Sequence, residues 1–260
     1  MKKKIGLALG SGAARGLAHI GVLKVLEKEG IPIDMIAGTS MGALIGAVYA
    51  QGRDITQMKN LAIEWGAKRL SLLADPALPK TGLIRGRRIE DMLKSIIGDI
   101  KFRDLRLPFA CVATDIITGE EVVIKRGLVR EGVRASISIP VLFTVAKWED
   151  RYLVDGALVN PVPVNVLKSM GADFIIAVNA MPDRSVAEVK EPNIFNVIMQ
   201  TIYIVAHWSL KSSLAGANVV IEPQTASIGH FDFQRAEECI SQGEVAARSS
   251  IPEIKRRLEA

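Results

Sequence analysis

The chain is poor in the residues that build covalent or metal-bound frameworks. Its 260 residues include only two cysteines, Cys111 and Cys239, far apart in sequence. Two distant thiols give neither a metal-binding spacing nor a disulfide framework, which fits a reducing compartment. Aromatic residues make up only 5% of a chain that is 49% hydrophobic. Its core is therefore built from Ala, Val, Ile and Leu, a composition that suits parallel strands covered by helices on both faces. No apolar run is long enough to read as a membrane span. The stretch Ile5 to Leu9 behind the N-terminal lysines is too short for a signal peptide and is broken by Gly10 and Gly12. Repeats, low-complexity tracts and domain linkers are all missing, so 1–260 reads as a single large domain. The net charge is +5, with small basic clusters at Lys2 to Lys4, Arg85 to Arg88 and Lys255 to Arg257. Scattered in this way, the charge reads as solvated surface, with weak attraction to an anionic membrane as the alternative. No motif or aromatic interleaving supports nucleic-acid binding. The expectation is a cytoplasmic chain that touches membranes peripherally, and its oligomeric state is left open.

What the chain does have is a sharp feature at Ile36-Ala37-Gly38-Thr39-Ser40-Met41-Gly42-Ala43-Leu44. An apolar run, Gly-Thr-Ser-Met-Gly, then a helical pattern is how a nucleophile elbow looks in sequence. The turn strains the backbone at the serine, so the residues two before and two after it must be small. Gly38 and Gly42 meet that need. The helix opening at Met41 turns free N–H groups toward the site, which favours developing negative charge.

Around the elbow, strands alternate with helices, which predicts an α/β fold in three layers, α/β/α, with a largely parallel central sheet. Lys4 to Leu9 reads as a buried first strand. The small-residue loop Gly10-Ser11-Gly12-Ala13-Ala14-Arg15-Gly16 follows, then a helix from Leu17 to Glu29. Such a loop brings backbone N–H groups close to a ligand, either a phosphate or the oxyanion of an acyl-transfer site. A dinucleotide site wants a third glycine where Arg15 stands, so the oxyanion reading is preferred. Helices are expected at 41–51, 54–74, 88–97, 128–138, 161–170, 194–214 and 232–258. The segment from Asp75 to Gly86 reads as a loop, either an ordinary connection or a lid. Strands are expected at 108–115, 121–125, 173–179 and 218–221. Phe143 to Trp148 and Tyr152 to Val154 form a hairpin that ends in Asp155-Gly156-Ala157.

A serine hydroxyl needs a base. The three histidines are His19, His207 and His230. His19 and His207 read as structural helix residues. The order Ser40, Asp155, His230 is that of ordinary α/β-hydrolases. Asp155, however, sits on a tight turn at a strand end, a good place to aim a carboxylate straight at the serine. In a partly desolvated pocket a carboxylate is basic enough for that work.

Four blocks carry a family resemblance. They are Leu7 to Gly16 with His19 to Leu23, Gly38 to Gly42, Ala135-Ser136-Ile137-Ser138-Ile139-Pro140, and Asp155-Gly156-Ala157. In this order, within residues 5–165, they resemble the patatin-like phospholipases. The resemblance implies a patatin-like fold and a Ser-Asp dyad that hydrolyses lipid acyl esters. It maps the nucleophile to Ser40, the base to Asp155 and the oxyanion hole to the N–H groups of Gly12 and Ala13. Arg15 steadies the loop or the oxyanion, and Gly10, Gly16, Gly38, Gly42 and Gly156 are motif glycines. Ser11 and Ala13 replace glycines that the family often has. The dyad requires no metal and no cofactor. Acyl transfer by the same serine step, and a signalling adaptor with an idle site, are the rival readings.

Overall fold

The computed structural model describes residues 3–67, 82–84, 86–181 and 194–260. In chain order the first elements are β1 (Ile5–Leu9), α1 (Ala18–Lys28), β2 (Met35–Thr39), α2 (Met41–Ala50) and α3 (Ile55–Ala67). Next come β3 (Gly82–Ile84), α4 (Arg87–Ile97), β4 (Phe109–Asp115), β5 (Glu121–Ile124), α5 (Val129–Ser136) and β6 (Val141–Phe143). The chain continues with β7 (Ala146–Trp148), β8 (Arg151–Asp155), α6 (Val164–Ser169), β9 (Phe174–Val178), α7 (Ile194–Ser213), β10 (Val219–Ile221) and α8 (Ala236–Glu259).

The central strands are apolar along their whole length because both of their faces are covered. β10, β9, β1, β2 and β4 lie side by side in that order, all parallel. Alternate residues point to opposite faces. Leu7, Leu9, Ile36, Ile176 and Val178 pack with Leu23 of α1, Ile45 of α2 and Ile240 of α8. Ala8, Met35, Ala37, Ile175 and Ala177 pack under Leu167 of α6 and Leu210 of α7. The fold is therefore the expected three-layer α/β/α arrangement.

The far edge of the sheet departs from the parallel pattern. β5 and β8 pair antiparallel with β4, and β7 pairs antiparallel with β8. The expected strand at Phe143 to Trp148 divides. Ala146–Trp148 makes the hairpin with β8, whereas Val141–Phe143 pairs in parallel with Gly82–Ile84, inside a stretch read from sequence as loop. Two apolar triplets far apart in sequence satisfy each other's backbone groups there, a pairing that local pattern does not reveal. The helix expected at 54–74 is seen as Ile55–Ala67. Its remainder, and the lid reading of 75–86 apart from 82–84 and Gly86, lie outside the described residues.

The helix that follows the glycine loop is fixed by a backbone-to-backbone crossing. A Cβ on Gly21 of α1 would run into the Ile240 carbonyl of α8, and one on Gly243 of α8 would run into the Ala18 carbonyl of α1. In an exposed helix, Gly→Ala stabilises by about 1 kcal/mol. Here the sign reverses. Gly243→Ala is expected to destabilise by about 2–3 kcal/mol through overpacking. In thermal unfolding that lowers Tm by about 5–10 °C; a rise in Tm would show that the two helices do not cross this closely.

Candidate active site

The site lies where the central strands stop, at the carboxyl ends of β1 and β2, the usual place for a ligand in an open parallel sheet. A strand residue has two ladder edges. Val112 of β4 faces Thr39 of β2 on one edge and Val123 of β5 on the other. Its neighbour Ala113 faces Val122 of β5 and Asp155 of β8. β5 keeps its edge throughout, so β8 takes over the edge that β2 leaves. The two strands meet head to head, and their ends carry Ser40 and Asp155.

Ser40 is the turn between β2 and α2, with φ 55 and ψ −120. A positive φ is costly for a residue with a side chain, so the surroundings must hold it. A Cβ on Gly38 would run into the Gly42 carbonyl, and one on Gly42 into the Leu9 carbonyl. Both positions are thus glycine because backbone approaches them. The Ser40 hydroxyl donates to Asp155 Oδ2 at 2.6 Å. Asp155 Oδ1 accepts the Ala157 N–H at 2.9 Å, at the start of the 3-10 turn Gly156–Leu158. Gly156 is also pinned, since a Cβ there would run into the Val112 carbonyl. Asp155 is only 3% exposed. Desolvation pushes its pKa up to about 6, while the bonds from Ser40 and Ala157 pull it down.

The loop after β1 enters the 3-10 turn Ala13–Leu17 beside Ser40. The N–H groups of Gly10, Ser11 and Ala14 are bonded to the carbonyls of Val178, Pro161 and His230 at 3.0, 2.9 and 3.1 Å. Among the described residues, those of Gly12 and Ala13 carry no hydrogen bond, and both residues line the space next to Ser40. Ala13 stands at φ 49, where glycine would be unstrained. Gly10 packs against the Val178 carbonyl and Gly16 against the Met41 side chain. Arg15 is buried behind the loop. Its Nε donates to the Ile228 carbonyl at 2.6 Å, which ties the loop to the segment before α8. Burial lowers its pKa.

Among the described residues, neither His19 nor His230 is hydrogen-bonded to Ser40 or Asp155. His19 Nε2 lies 2.7 Å from the Gly10 carbonyl, and burial lowers its pKa to about 4. His230 lines the space beside the site, and its pKa is lowered to about 4 by burial and then by the Arg15 charge. His207 stacks on Tyr203 at 6.0 Å within α7. Both cysteines are free and buried, Cys111 in β4 and Cys239 in α8.

Sequence reasoning left one block without a role. Ser136 Oγ accepts the Ser40 N–H at 2.9 Å and donates to the Val112 carbonyl at 2.6 Å. The Ser138 carbonyl accepts the Asp155 N–H at 2.9 Å. The signal was two hydroxyls in an otherwise apolar segment, read there only as part of a resemblance. Thr114 Oγ1 also donates to the Asp155 carbonyl at 2.9 Å.

Two spaces open on Ser40. A cavity of about 260 Å³ lies between α2, α3, α4 and the Phe231–Phe233 stretch; Leu44, Met58, Trp65, Met92 and Phe143 line it, and among the described residues no charged side chain does. A smaller space of about 50 Å³ is lined by Ser11, Arg15, Met181, Tyr203 and His230. Among the described residues, no helix is long and apolar enough to cross a membrane.

A family model described as patatin-like phospholipase matches residues 7–168. An uncharacterized NTE family protein of Mycobacterium tuberculosis is 36% identical over 192 residues, 74% of this chain and 53% of that protein. Patatin-like phospholipase domain-containing protein 6 of Homo sapiens is 38% identical over 181 residues, 67% of this chain and 13% of that protein. The chain therefore spans about half the length of the mycobacterial relative and much less of the human one. The crystal structure of VipD from Legionella pneumophila shares the fold, with a TM-score of 0.51 at 13% identity over 96% of this chain and 67% of that one. The family match runs from β1 through the elbow and β8 into α6, so it takes in Ser40, Asp155 and the glycine loop. This chain belongs to the patatin-like phospholipase family.

Proposed function

We propose that the chain is a serine acyl-ester hydrolase acting on lipid esters, with a Ser40–Asp155 dyad. The observation that carries the reading is the 2.6 Å bond between a buried carboxylate and the Ser40 hydroxyl, which lines a cavity whose other described lining residues are almost all apolar. A hydroxyl on an elbow, bonded to a group basic enough to take its proton, is an activated nucleophile. The cavity takes the acyl chain, and the ester carbonyl rests on Ser40.

Asp155 accepts the hydroxyl proton as Ser40 Oγ attacks the carbonyl carbon. The negative charge that develops on the carbonyl oxygen is met by the N–H groups of Gly12 and Ala13, worth about 3 kcal/mol of barrier per donor. The proton passes from Asp155 to the departing alcohol. Water then gives its proton to the same carboxylate and attacks the acyl-enzyme. The fatty acid leaves, and Ser40 regains its proton. Both Asp155 oxygens are already engaged, by Ser40 and by Ala157, so the bonding leaves no place for an imidazole between base and nucleophile. Asp155 must be ionised to act, so kcat/KM falls on the acid side of its pKa.

Three outcomes are expected. Ser40→Ala and Asp155→Asn each lower kcat/KM on a long-chain acyl ester by about 10⁴-fold or more, a loss typical of removing one member of a catalytic unit. A fluorophosphonate forms a single adduct on Ser40, read by peptide mass, and His230→Ala keeps both the adduct and turnover within about tenfold. A variant Asp155→Asn with near-normal turnover would rule out the dyad.

The pH profile of kcat/KM on a water-soluble ester rises with a one-proton slope to about pH 6 and is flat above it. A midpoint near 4 would place the active carboxylate in water.

Stability follows from the same shift. Asp155 is raised from 3.8 to about 6 by folding, so its contribution favours the fold below pH 4 and is lost as pH rises through 6. At pH 8 the ionised group costs the fold up to about 3 kcal/mol. Asp155→Asn should therefore melt several degrees above wild type at pH 8, with the gap closing near pH 4. Equal melting temperatures at pH 8 would mean that the carboxylate is not desolvated.

A further inference from the structure

We propose that Ser136 is the positioning residue of the nucleophile, its hydroxyl standing in for one rung of the β2–β4 ladder. The reasoning starts from the ladder. The Ile36 N–H reaches the Pro108 carbonyl at 2.9 Å. A parallel ladder advances two residues on each strand per rung from a given side, and the pairing runs from Ile36 opposite Phe109 to Thr39 opposite Val112. The rung due at Ser40 therefore joins its N–H to the Val112 carbonyl. Those are the two groups that the Ser136 hydroxyl bridges, accepting from one and donating to the other.

A hydroxyl has one proton to give and can accept in return, so the two bonds settle its orientation. Inserted between the strands, it moves the Ser40 N–H away from β4 by the breadth of an oxygen and still leaves no backbone group unpaired. β2 is thereby released from the sheet at Ser40, in a place where a bare rung would continue it. The released residue takes up the positive φ that turns its Oγ out of the sheet plane. Ser136 is fully buried, so bulk solvent does not reach the two groups it bridges. The same short segment holds the base as well: two residues on, the Ser138 carbonyl takes the Asp155 N–H. Ser136 and Ser138 thus fix the two backbones that face each other across the end of β2, and the 2.6 Å contact between Ser40 and Asp155 depends on their spacing. Ser136 meets neither the substrate nor the reacting atoms, and it acts through Ser40. This role rests on Ser40 being the nucleophile.

The test compares Ser136→Ala, the near-isosteric Ser136→Cys and wild type on a water-soluble ester. Rates are divided by the number of sites that react to completion with a fluorophosphonate, so that unfolded molecules do not count. A misplaced nucleophile costs about 100-fold. The expected result is a fall of that order in kcat per titrated site for both variants, with KM within about twofold and the midpoint of the pH profile unmoved. A role in folding alone would lower the number of sites and leave kcat per site as it was. Either variant, folded and with kcat per site within threefold of wild type, overturns the proposal. One measurement needs neither variant nor activity. In the wild-type chain the Ser40 amide hydrogen should exchange as slowly as its neighbours in β2; exchange at the rate of an exposed turn would also overturn the proposal. Ser40→Ala run alongside separates the two readings. If it keeps full activity, the assignment of Ser40 as nucleophile fails, while the amide exchange still reports on the bridge.

Discussion

Along one edge of β4, two strands arrive from opposite directions and neither can go further. β2 comes up in parallel and stops opposite Val112; β8 comes down antiparallel and stops opposite Ala113. This collision sets the rest of the site. The last residue of one strand and the turn after the other are brought to hydrogen-bonding distance by backbone pairing, before any side chain is considered. The parallel half of the sheet supplies the elbow and the glycine loop, both at strand carboxyl ends. The antiparallel edge supplies the carboxylate. Run the other way along this same edge, β8 would bring its first residue, Arg151, rather than Asp155 to the end of β2.

Holding this arrangement is unfavourable in itself. Ser40 and Ala13 have positive φ without being glycine, and Asp155 is a carboxylate in a dry place. Such features persist where the surroundings over-determine them. Here they do. The elbow is boxed between Leu9 and Gly42 on one side and bridged to β4 by Ser136 on the other. The loop carrying Ala13 is tied at both ends, through His19 to Gly10 and through Arg15 to Ile228. The fully buried strands β1, β2, β4 and β9, and the crossing of α1 with α8, supply the rigid frame. Loss of stability at the site and rigidity in the frame are two sides of one design, as expected where function and stability compete.

How much of this was legible in the sequence depends on how local each feature is. The central strands were readable because a strand covered on both faces is a plain apolar run. The elbow was readable because its strain demands small residues at fixed offsets. Asp155 was readable as a carboxylate at a strand end, though its partner 115 positions away was not implied by any local pattern. The antiparallel edge, the pairing of Gly82–Ile84 with Val141–Phe143 and the bridge by Ser136 join segments distant in sequence, and periodicity carries no information about such pairings. Arg15 shows the same limit from the other direction. Its place suggested that it steadies the loop or the oxyanion, and no local pattern named the partner of its Nε bond, the Ile228 carbonyl 213 residues away.

The proposed choice of a carboxylate over an imidazole as base follows from the same burial. A carboxylate in water, with a pKa near 4, is too weak a base to compete for a serine proton. Desolvation raises Asp155 to about 6 and so brings it toward the operating range of a histidine. Desolvation acts on the neighbouring imidazoles with the opposite sign, because there the charged form is the protonated one. It lowers His19 and His230 to about 4, and the charge of Arg15 pushes His230 further in the same direction. One dry environment therefore makes the acid side chain more basic and both histidines less so. Near neutral pH the two imidazoles stay uncharged and bring no stray positive charge that would pull Asp155 back down. The proton chemistry of the site is left to a single group, already bonded to the hydroxyl it is proposed to activate.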